Sequence, residues 1–184
     1  CAVLKSNDFG LPQKRERLYI VGFDKDYFGD IELEGFRWPE PLDVMTNVGS
    51  ILERDSEKLA KYTISQRLYD GHVRRKKEHQ RKGNGFGFSV VGLNDRHTNT
   101  LSARYHKDGS EILIDQSEKG LLPRKLTPRE CARLQGFPED FIVDAVSEAQ
   151  IYKQFGNSVS VPVIRQIAGR MLELDRAFSK NRPK

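Results

Sequence analysis

Apolar residues recur near the end of the chain at the spacing of an amphipathic helix. Residues three and four positions apart lie on one side of a helix, and Pro162 suits a first helical turn. The pattern therefore predicts a long terminal helix whose apolar stripe is covered by a sheet or another helix. The positions of this stripe are Ile164, Ile167, Ala168, Met171 and Leu174.

Two shorter helices are predicted upstream of the terminal one. Thr127, Pro128 and Glu130 match a capping box with proline at the first helical position. Gly136 is placed to end that helix about two turns later. The sequence at 147–150 repeats the same start signal, so a further helix is expected there.

The remaining pattern predicts strands. An apolar run at 18–23 favours a buried strand, preceded by a loop over 7–12. In the middle of the chain, "FSVVGL" and "TNTLSARYHKDGSEILID" read as strands around a hairpin turn at 107–110. A helix is expected to begin near residues 62–68 and to continue through a basic run. The middle region is thus predicted to be a small mixed domain dominated by β-structure.

Composition narrows the functional classes. The 184 residues carry a formal net charge of +5, which favours a polyanionic partner. No apolar run reaches the length of about 18 residues that a membrane span needs, so a soluble, cytoplasmic protein without a membrane partner is predicted. Two cysteines and four histidines lack the spacing of a disulfide framework or a metal site, and no metal is predicted. Because the chain begins with cysteine, we expect a fragment, a processed chain or one part of a larger enzyme.

The stretch "PQKRER" places Gln13, Arg15 and Arg17 at alternate positions. On an extended chain these side chains project to one face, and two guanidinium groups form a fork suited to phosphate or a carbonyl oxygen. A solvated edge or an internal salt bridge is the alternative, and the spacing alone leaves both open.

A basic run occupies residues 74–82, and "GNGFGF" follows it at 83–88. The run can neutralise phosphates, and its alternate glycines permit a close approach of the backbone to a partner. Asn84 and Phe86 are then placed to touch base edges. A solvated helix face followed by a glycine-rich turn with two core phenylalanines is the alternative.

Gly156, Asn157, Ser158 and Val159 directly precede the predicted terminal helix. Free N–H groups at a helix N-terminus attract carboxylates and phosphates, although a simple capping loop has the same sequence signature. Cys131 follows the start of a capped helix without an evident activating base, which favours a packed thiol over a nucleophile.

Three blocks now fall into order: "DFGLPQKRERLYIVGF", "RKLTPRECARLQGFP" and "YKQFGNSVSVPV". They closely resemble signature blocks eight, nine and ten of the DNA cytosine-5 methyltransferases, and the resemblance spans essentially the whole chain. It implies an α/β fold: the C-terminal part of a Rossmann-like methyltransferase dependent on S-adenosylmethionine, with a small mixed, β-rich target-recognition domain. The implied division is 1–23 for the end of the catalytic domain, 24–145 for the recognition domain, and 146–184 for the helical return to the catalytic domain.

The resemblance also implies roles for individual residues. In this family S-adenosylmethionine methylates C5 of a cytosine flipped out of duplex DNA. Arg17 is expected near O2 of that cytosine, while Arg15 and Gln13 organise the catalytic loop and nearby phosphates. The cofactor pocket would be closed by Asn157, Ser158 and Val159. Structural pairing, rather than catalysis, is expected of Arg129, Glu130 and Arg133.

The middle region resembles the recognition domains of bacterial methylases that mark CCGG, CCWGG or CCNGG sites, as in restriction-modification systems. His106 departs from the tyrosine expected there. The DNA contacts predicted in this region are Arg81, Asn84, Arg96, Thr98, Arg104 and Lys107.

The family's glycine-rich cofactor loop, its Pro-Cys-Gln nucleophile loop and its Glu-Asn-Val block lie upstream of block eight, and none occurs in this sequence. The chain is therefore expected to need an N-terminal catalytic half or subunit, and to be inactive alone. Two alternatives remain open. One is a non-catalytic DNA-binding module derived from such an enzyme, and the other is a transfer-RNA methyltransferase of the same fold.

Overall fold

The computed structural model describes residues 1–29, 35–85 and 87–181. The helices and strands of these residues, in chain order, are β1 (Ala2–Lys5), β2 (Glu16–Tyr19), α1 (Lys25–Phe28), α2 (Ser56–Ala60), α3 (Gln66–Arg81), β3 (Val90–Val91), α4 (Tyr105–Asp108), β4 (Leu113–Ile114), α5 (Pro128–Leu134), α6 (Glu148–Asn157) and α7 (Val161–Asn181). Short 3₁₀ turns lie at Ser6–Phe9, Val48–Ile51 and Ser117–Lys119.

The N-terminal strands β1 and β2 form an antiparallel ribbon in which Leu4 is opposite Arg17. One face packs, through Leu4 and Tyr19, on a core that includes Val163 and Ile167 of α7. The other face is bare, as Leu18 shows by being 60% exposed.

The buried strand predicted at 18–23 is therefore wrong in both extent and burial. The strand is Glu16–Tyr19, and Ile20 beyond it is 78% exposed. Successive side chains of a strand point to opposite faces, and this chain covers only one face of the ribbon.

The terminal helix α7 is confirmed, and it begins at Val161, next to the predicted Pro162. Its buried side runs through Val163 and Ile167. Ile164 and Ala168 are exposed, so the predicted stripe is wrong for these two positions. The helix carries two adjacent apolar stripes, and the ribbon covers only one of them.

A second, larger core joins α4, α5, α6 and the turn Val48–Ile51. Tyr105 lies at its centre, where its hydroxyl donates to the carbonyl of Ile112 and accepts from the N–H of Leu126, both at 2.7 Å. Tyr152 of α6 donates to the carbonyl of Leu126 at 2.7 Å. These bonds satisfy the polar atoms of two fully buried rings, so the aromatic core carries no unpaired hydroxyl at this point.

The hairpin predicted at 107–110 is wrong. Residues Tyr105–Asp108 form the short helix α4, and Gly109 ends it with a φ of +64°. The strands β3 and β4 are two residues each and pair in parallel. Burial of Tyr105 turns this segment inward as a helix, and in the described part of the middle region helix exceeds strand.

The predicted helix through the basic run is α3, and it begins at Gln66, within the predicted range of 62–68. Ser65 sets this start, because its side chain accepts a hydrogen bond from the N–H of Leu68 at 3.3 Å, as an N-cap serine does. No helix in the described part of the chain is long and apolar enough to cross a bilayer.

The capping box at Thr127 and Glu130 is confirmed in both of its hydrogen bonds. Helix α6 begins at Glu148 as expected, although Ser147 makes no side-chain cap bond. Because α6 packs in the larger core and α7 in the smaller one, the packing changes between these two helices. The three-part domain division remains a prediction.

Candidate functional site

Arg15 joins the N-terminal block to the turn between α6 and α7. Its Nη1 donates to the carbonyl of Leu101 at 3.0 Å, and its Nη2 donates to the carbonyls of Gly156 at 3.2 Å and Ser158 at 2.8 Å. The side chain is 4% exposed. Arg15 thus uses its donors on backbone carbonyls, one of the two kinds of partner predicted for this pair of guanidinium groups, and its role in organising the catalytic loop stays a prediction.

The buried charge of Arg15 has a physical compensation. Burial, followed by the neighbouring charge of Arg17, lowers the pKa of Arg15. Its partners at Gly156 and Ser158 are carbonyls at the C-terminal end of α6, where unpaired carbonyls and the helix dipole favour a cation. Arg15 therefore holds this turn in place from the inside.

Gln13 is fully buried and bonds in three directions. Its Nε2 donates to the carbonyl of Leu134 at 3.1 Å and to Oε1 of Gln135 at 3.3 Å. Its Oε1 accepts from the N–H of Leu101 at 2.9 Å. A role in organising a catalytic loop stays a prediction for Gln13, whereas its contacts within this chain are structural.

Gln135 links all three blocks and was not singled out by the sequence pattern. Its Nε2 donates to the carbonyl of Phe155 at 2.8 Å, and its Oε1 accepts from Ser160 at 3.4 Å. Ser160 also shares a hydrogen bond of 2.6 Å with Ser6. The one available signal was an amide directly after the capped helix, which by itself is also typical of an ordinary C-cap.

Gly156 is required by a close approach of two backbones. A Cβ at this position would lie 2.3 Å from the carbonyl carbon and oxygen of Ser102 and 2.4 Å from the nitrogen of Ala103. Backbone atoms at this distance cannot yield without moving the chain. Gly156 thus permits the close packing of these two backbone segments.

The next three residues face outward to different degrees. Asn157 is exposed and has no side-chain hydrogen bond within the described residues, while Val159 is 50% exposed. The hydroxyl of Ser158 donates back to the carbonyl of Phe155 at 2.8 Å. Of the three predicted cofactor contacts, Asn157 and Val159 are thus presented at the surface, and Ser158 uses its hydroxyl within the turn.

Of the three polar side chains singled out in the first block, that of Arg17 stays accessible. Arg17 is exposed on β2, and its Nη1 donates to the carbonyl of Glu16 at 2.6 Å. Within the same block, the N–H of Lys14 donates to the carbonyl of Thr98 at 2.9 Å. Lys14 and Arg96 both lower the pKa of His97, after its burial. The junction therefore gathers positive charge at Lys14 and Arg96, which favours the neutral form of His97, and spacing alone did not indicate Lys14.

The burial of Thr98 argues against its predicted DNA contact. It is 1% exposed, its N–H donates to the carbonyl of Pro12 at 2.8 Å, and its hydroxyl donates to the carbonyl of Asn99 at 2.8 Å. Thr98 ties the middle region to the first block, and Arg96 remains exposed beside it.

The other predicted DNA contacts are solvent-facing. Arg81 ends α3, and Asn84 lies in the loop that follows, where Gly83 has a φ of +69°. Arg104 directly precedes α4, and Lys107 lies within it. The side chains of all four residues are exposed. Phe86, which was expected to touch base edges, lies outside the described residues.

The structural pairs expected in the second block are present. Glu130 and Arg124 form a buried bidentate ion pair, with both N–O distances at 2.7 Å and side chains 0% and 3% exposed. Arg133 pairs with Glu139 at 2.7 Å nearer the surface, and Arg129 donates to the carbonyl of Phe141 at 2.8 Å.

Cys131 is fully buried, and burial together with Glu130 raises the pKa of its thiol well above the ordinary value. A thiol held in its neutral form is a poor nucleophile, so the prediction of a packed thiol is confirmed. In the described part of the chain, no three histidine, cysteine or acidic side chains come together as a metal-binding group.

A cavity of about 770 Å³ is lined by four carboxylates, those of Glu53, Asp95, Asp115 and Glu118, and by the cations of Arg54, Lys119 and Arg124. The candidate site comprises the exposed side chains of Lys14, Arg17 and Arg96 and the Asn157 turn.

The profile of the C-5 cytosine-specific DNA methylases matches residues 1–173. The chain belongs to this family. The chain is 56% identical over 173 residues to Type II methyltransferase M1.ScrFI of Lactococcus lactis subsp. cremoris, and the alignment covers 94% of this chain and 43% of that protein. It is 53% identical over 171 residues to Type II methyltransferase M.DsaV of Dactylococcopsis salina, covering 92% of this chain and 46% of that protein.

Solved structures give the same fold for this chain. The Entamoeba histolytica methyltransferase EhMeth matches with a TM-score of 0.63 at 20% identity, over 94% of this chain and 52% of that one. The Dnmt2 methyltransferase of S. pombe matches with a TM-score of 0.60 at 23% identity, over 95% and 57%. The α/β methyltransferase fold is confirmed, and the chain spans about half the length of the proteins it matches.

Proposed function

We propose that this chain is the C-terminal, DNA-recognising part of a DNA (cytosine-5-)-methyltransferase of a restriction-modification system. One observation carries the proposal: Arg15 and Gln13 bind the three signature blocks into a single unit, through the carbonyls of Leu101, Leu134 and Ser158. The buried members hold the site together. Arg17, Asn157 and Val159 remain at the surface, where they can meet a substrate and a cofactor.

The proposal includes a missing N-terminal half that carries the nucleophilic cysteine and the cofactor loop. Cys131 is fully buried and Cys1 is exposed, and neither lies in a Pro-Cys-Gln context. The bare ribbon face, formed by Val3, Leu18 and Ile20, is 60%, 60% and 78% exposed. An exposed apolar patch of this kind marks an interaction site, so we infer that the N-terminal half covers this face.

Within such an enzyme, the residues of this chain would hold and orient the DNA and the cofactor. The guanidinium of Arg17 would donate to O2 of the flipped cytosine and stabilise negative charge that develops on the ring when a thiolate adds to C6. Flipping the cytosine costs a few kcal/mol of unstacking and unpairing, and contacts between the protein and the DNA must offset this cost. We propose that four side chains contact the DNA. They are those of the exposed residues Arg96, Arg104 and Lys107 and that of Asn84 in the loop after α3.

The Asn157 turn is proposed as one wall of the S-adenosylmethionine site. Asn157 offers an amide without a hydrogen bond in the described residues, and Val159 offers a half-exposed apolar surface. These groups fit the polar and apolar edges of a nucleoside, and the rest of the pocket falls to the N-terminal half. When bound, S-adenosylmethionine supplies the methyl group for C5.

The test is reconstitution. The chain is mixed with a polypeptide that carries the upstream blocks, and transfer of a labelled methyl group to duplexes with CCGG, CCWGG and scrambled sites is measured. Methyl transfer that requires both parts supports the proposal. Site-selective DNA binding without methyl transfer by the mixture would favour a non-catalytic DNA-binding module, and methylation of transfer RNA in preference to duplex DNA would favour a transfer-RNA methyltransferase.

A further inference from the structure

Helix α3 carries its positive charges on two different faces. On the inner face, Nη2 of Arg75 donates to Nδ1 of His72 at 2.7 Å and contacts Oδ2 of Asp108 at 2.9 Å. The ammonium of Lys76 lies 5.1 Å from the centre of the Phe88 ring. These two cations have partners within the protein, so they anchor α3 to α4 and to the segment that contains Phe88.

The outer face carries four cations that have no such partners. Seven residues make nearly two helical turns, so Arg67, Arg74 and Arg81 lie in one row, about 10.5 Å apart along the axis at 1.5 Å per residue. Lys77 lies beside this row. All four side chains are exposed, and none forms an ion pair within the described residues.

The ordinary explanations of a basic helix do not account for this row. Basic residues in a last turn stabilise the helix dipole, which explains Arg81 but not Arg74 and Lys77 in the middle of α3. Surface cations usually face carboxylates at i±4, and two carboxylates, Asp70 and Glu78, lie on this side. Asp70 is bonded to the amide of Gln66 at 2.8 Å, and neither carboxylate pairs with the row, which keeps a net positive charge.

The position of the row points to what it binds. Helix α3 leads directly into the loop that contains Gly83 and Asn84, and the N–H of Asn84 donates to the carbonyl of His79 at 2.9 Å. A polyanion held along α3 would therefore run towards Asn84. Guanidinium and ammonium groups at regular intervals on a rigid helix suit the phosphates of a duplex backbone.

We propose that the outer face of α3, formed by Arg67, Arg74, Lys77 and Arg81, is a phosphate-binding surface for duplex DNA. It supplies affinity that is independent of sequence, and it holds the Asn84 loop against the groove. The inner-face anchors keep the surface in register with α4. This inference rests on the proposed function, because it takes DNA as the partner.

The test uses the whole chain and a triple variant, Arg74→Gln, Lys77→Gln and Arg81→Gln. Glutamine keeps helix propensity, and circular dichroism checks the fold. Binding to labelled duplexes with CCGG, CCWGG and scrambled sites is measured over a range of salt concentrations. Each lost phosphate contact should reduce the slope of log K against log salt by about 0.9, so we expect a reduction of about 2 to 3 and a loss of affinity of about tenfold or more. The loss should be equal on the three duplexes.

A matched control removes three exposed cations elsewhere: Lys119→Gln, Arg176→Gln and Lys180→Gln. It should leave most of the salt slope intact. The inference is overturned if the α3 variant behaves like this control, if it changes the ratio between the three duplexes, or if the parent chain binds no duplex even at low salt. Methyl transfer in the reconstituted enzyme decides the proposed function separately, so the two ideas can fail independently.

Discussion

The guanidinium of Arg15 donates to the carbonyl of Ser158 at 2.8 Å, across 143 residues of sequence. The same guanidinium reaches Leu101 in the middle region. One side chain thereby fixes the distance between the first block, the middle region and the turn that presents Asn157. The accessible groups of the site are held by buried groups that never reach the surface.

Replacing Arg15 should destabilise the chain strongly. Arg15→Ala leaves the carbonyls of Leu101, Gly156 and Ser158 without this donor. Hydrogen bonds to charged groups contribute about 1.5–3 kcal/mol each, so a loss of at least about 3 kcal/mol in the free energy of unfolding is expected by urea titration. Arg17→Ala is the control. Arg17 is exposed, and its replacement should change the stability by about 0.5 kcal/mol or less, while it lowers methyl transfer in the reconstituted enzyme. Equal stability losses in both variants would contradict this account of Arg15.

Two ion pairs of the second block should differ in their contribution to stability. Glu130→Gln disrupts the fully buried pair with Arg124, and removing one partner of a buried pair costs about 3–5 kcal/mol. Glu139→Gln disrupts the pair with Arg133, in which the carboxylate is 66% exposed, and such pairs contribute about 0–1 kcal/mol. Thermal and urea unfolding of both variants check the difference. A small effect of Glu130→Gln would mean that the buried pair is not formed.

Two glycines in helices should respond in opposite ways to alanine. Gly156→Ala places a methyl group 2.3 Å from the backbone of Ser102, and overpacking of this kind typically costs about 1–3 kcal/mol or more. Gly169 lies inside α7, with no atom within 4 Å of an added Cβ. Gly169→Ala should therefore stabilise the chain by up to about 1 kcal/mol. A neutral or stabilising effect of Gly156→Ala would refute the close approach at Gly156.

The two cysteines should differ in reactivity with a thiol reagent. Cys1 is exposed, whereas Cys131 is buried and its thiol pKa is raised. At neutral pH one thiol should react rapidly, and the second only after denaturation, because a protonated, inaccessible thiol does not attack. Counting the modified cysteines before and after adding denaturant makes the measurement. Rapid reaction of both in the folded chain would exclude the packed position of Cys131.

His72 should make stability depend on pH. Burial, as the main cause, lowers the pKa of His72 below its ordinary value of 6.5, so the unfolded chain binds the proton more readily. His72 therefore leaves stability unaffected above about pH 6.5 and reduces it as the pH falls below that value, where the unfolded state takes up more protons. Urea unfolding of the parent and of His72→Gln between pH 5 and 8 tests this. The parent should lose more stability on acidification, since other groups contribute equally to both proteins. Parallel pH profiles would show that His72 is not responsible.

The sequence by itself determined the local elements whose signals lie within a few residues. The capping box at Thr127 needs only Thr127 and Glu130, and the basic helix needs only its own turns. The order of the three blocks gave the family and the α/β fold.

Tertiary structure alone decided which of these side chains face a ligand. Arg15 and Arg17 share a residue type and an alternating position, yet one lies in the core at 4% exposure and the other at the surface. Thr98 was grouped with Arg96 as a DNA contact, and Ile164 with Ile167 as core. In each case the two residues differ because only one of them has a partner far away in sequence. The partner is the α6 carbonyls for Arg15, the first block for Thr98 and the ribbon for Ile167. A long-range contact leaves no local pattern, since the residue that buries a side chain imposes no spacing on its neighbours.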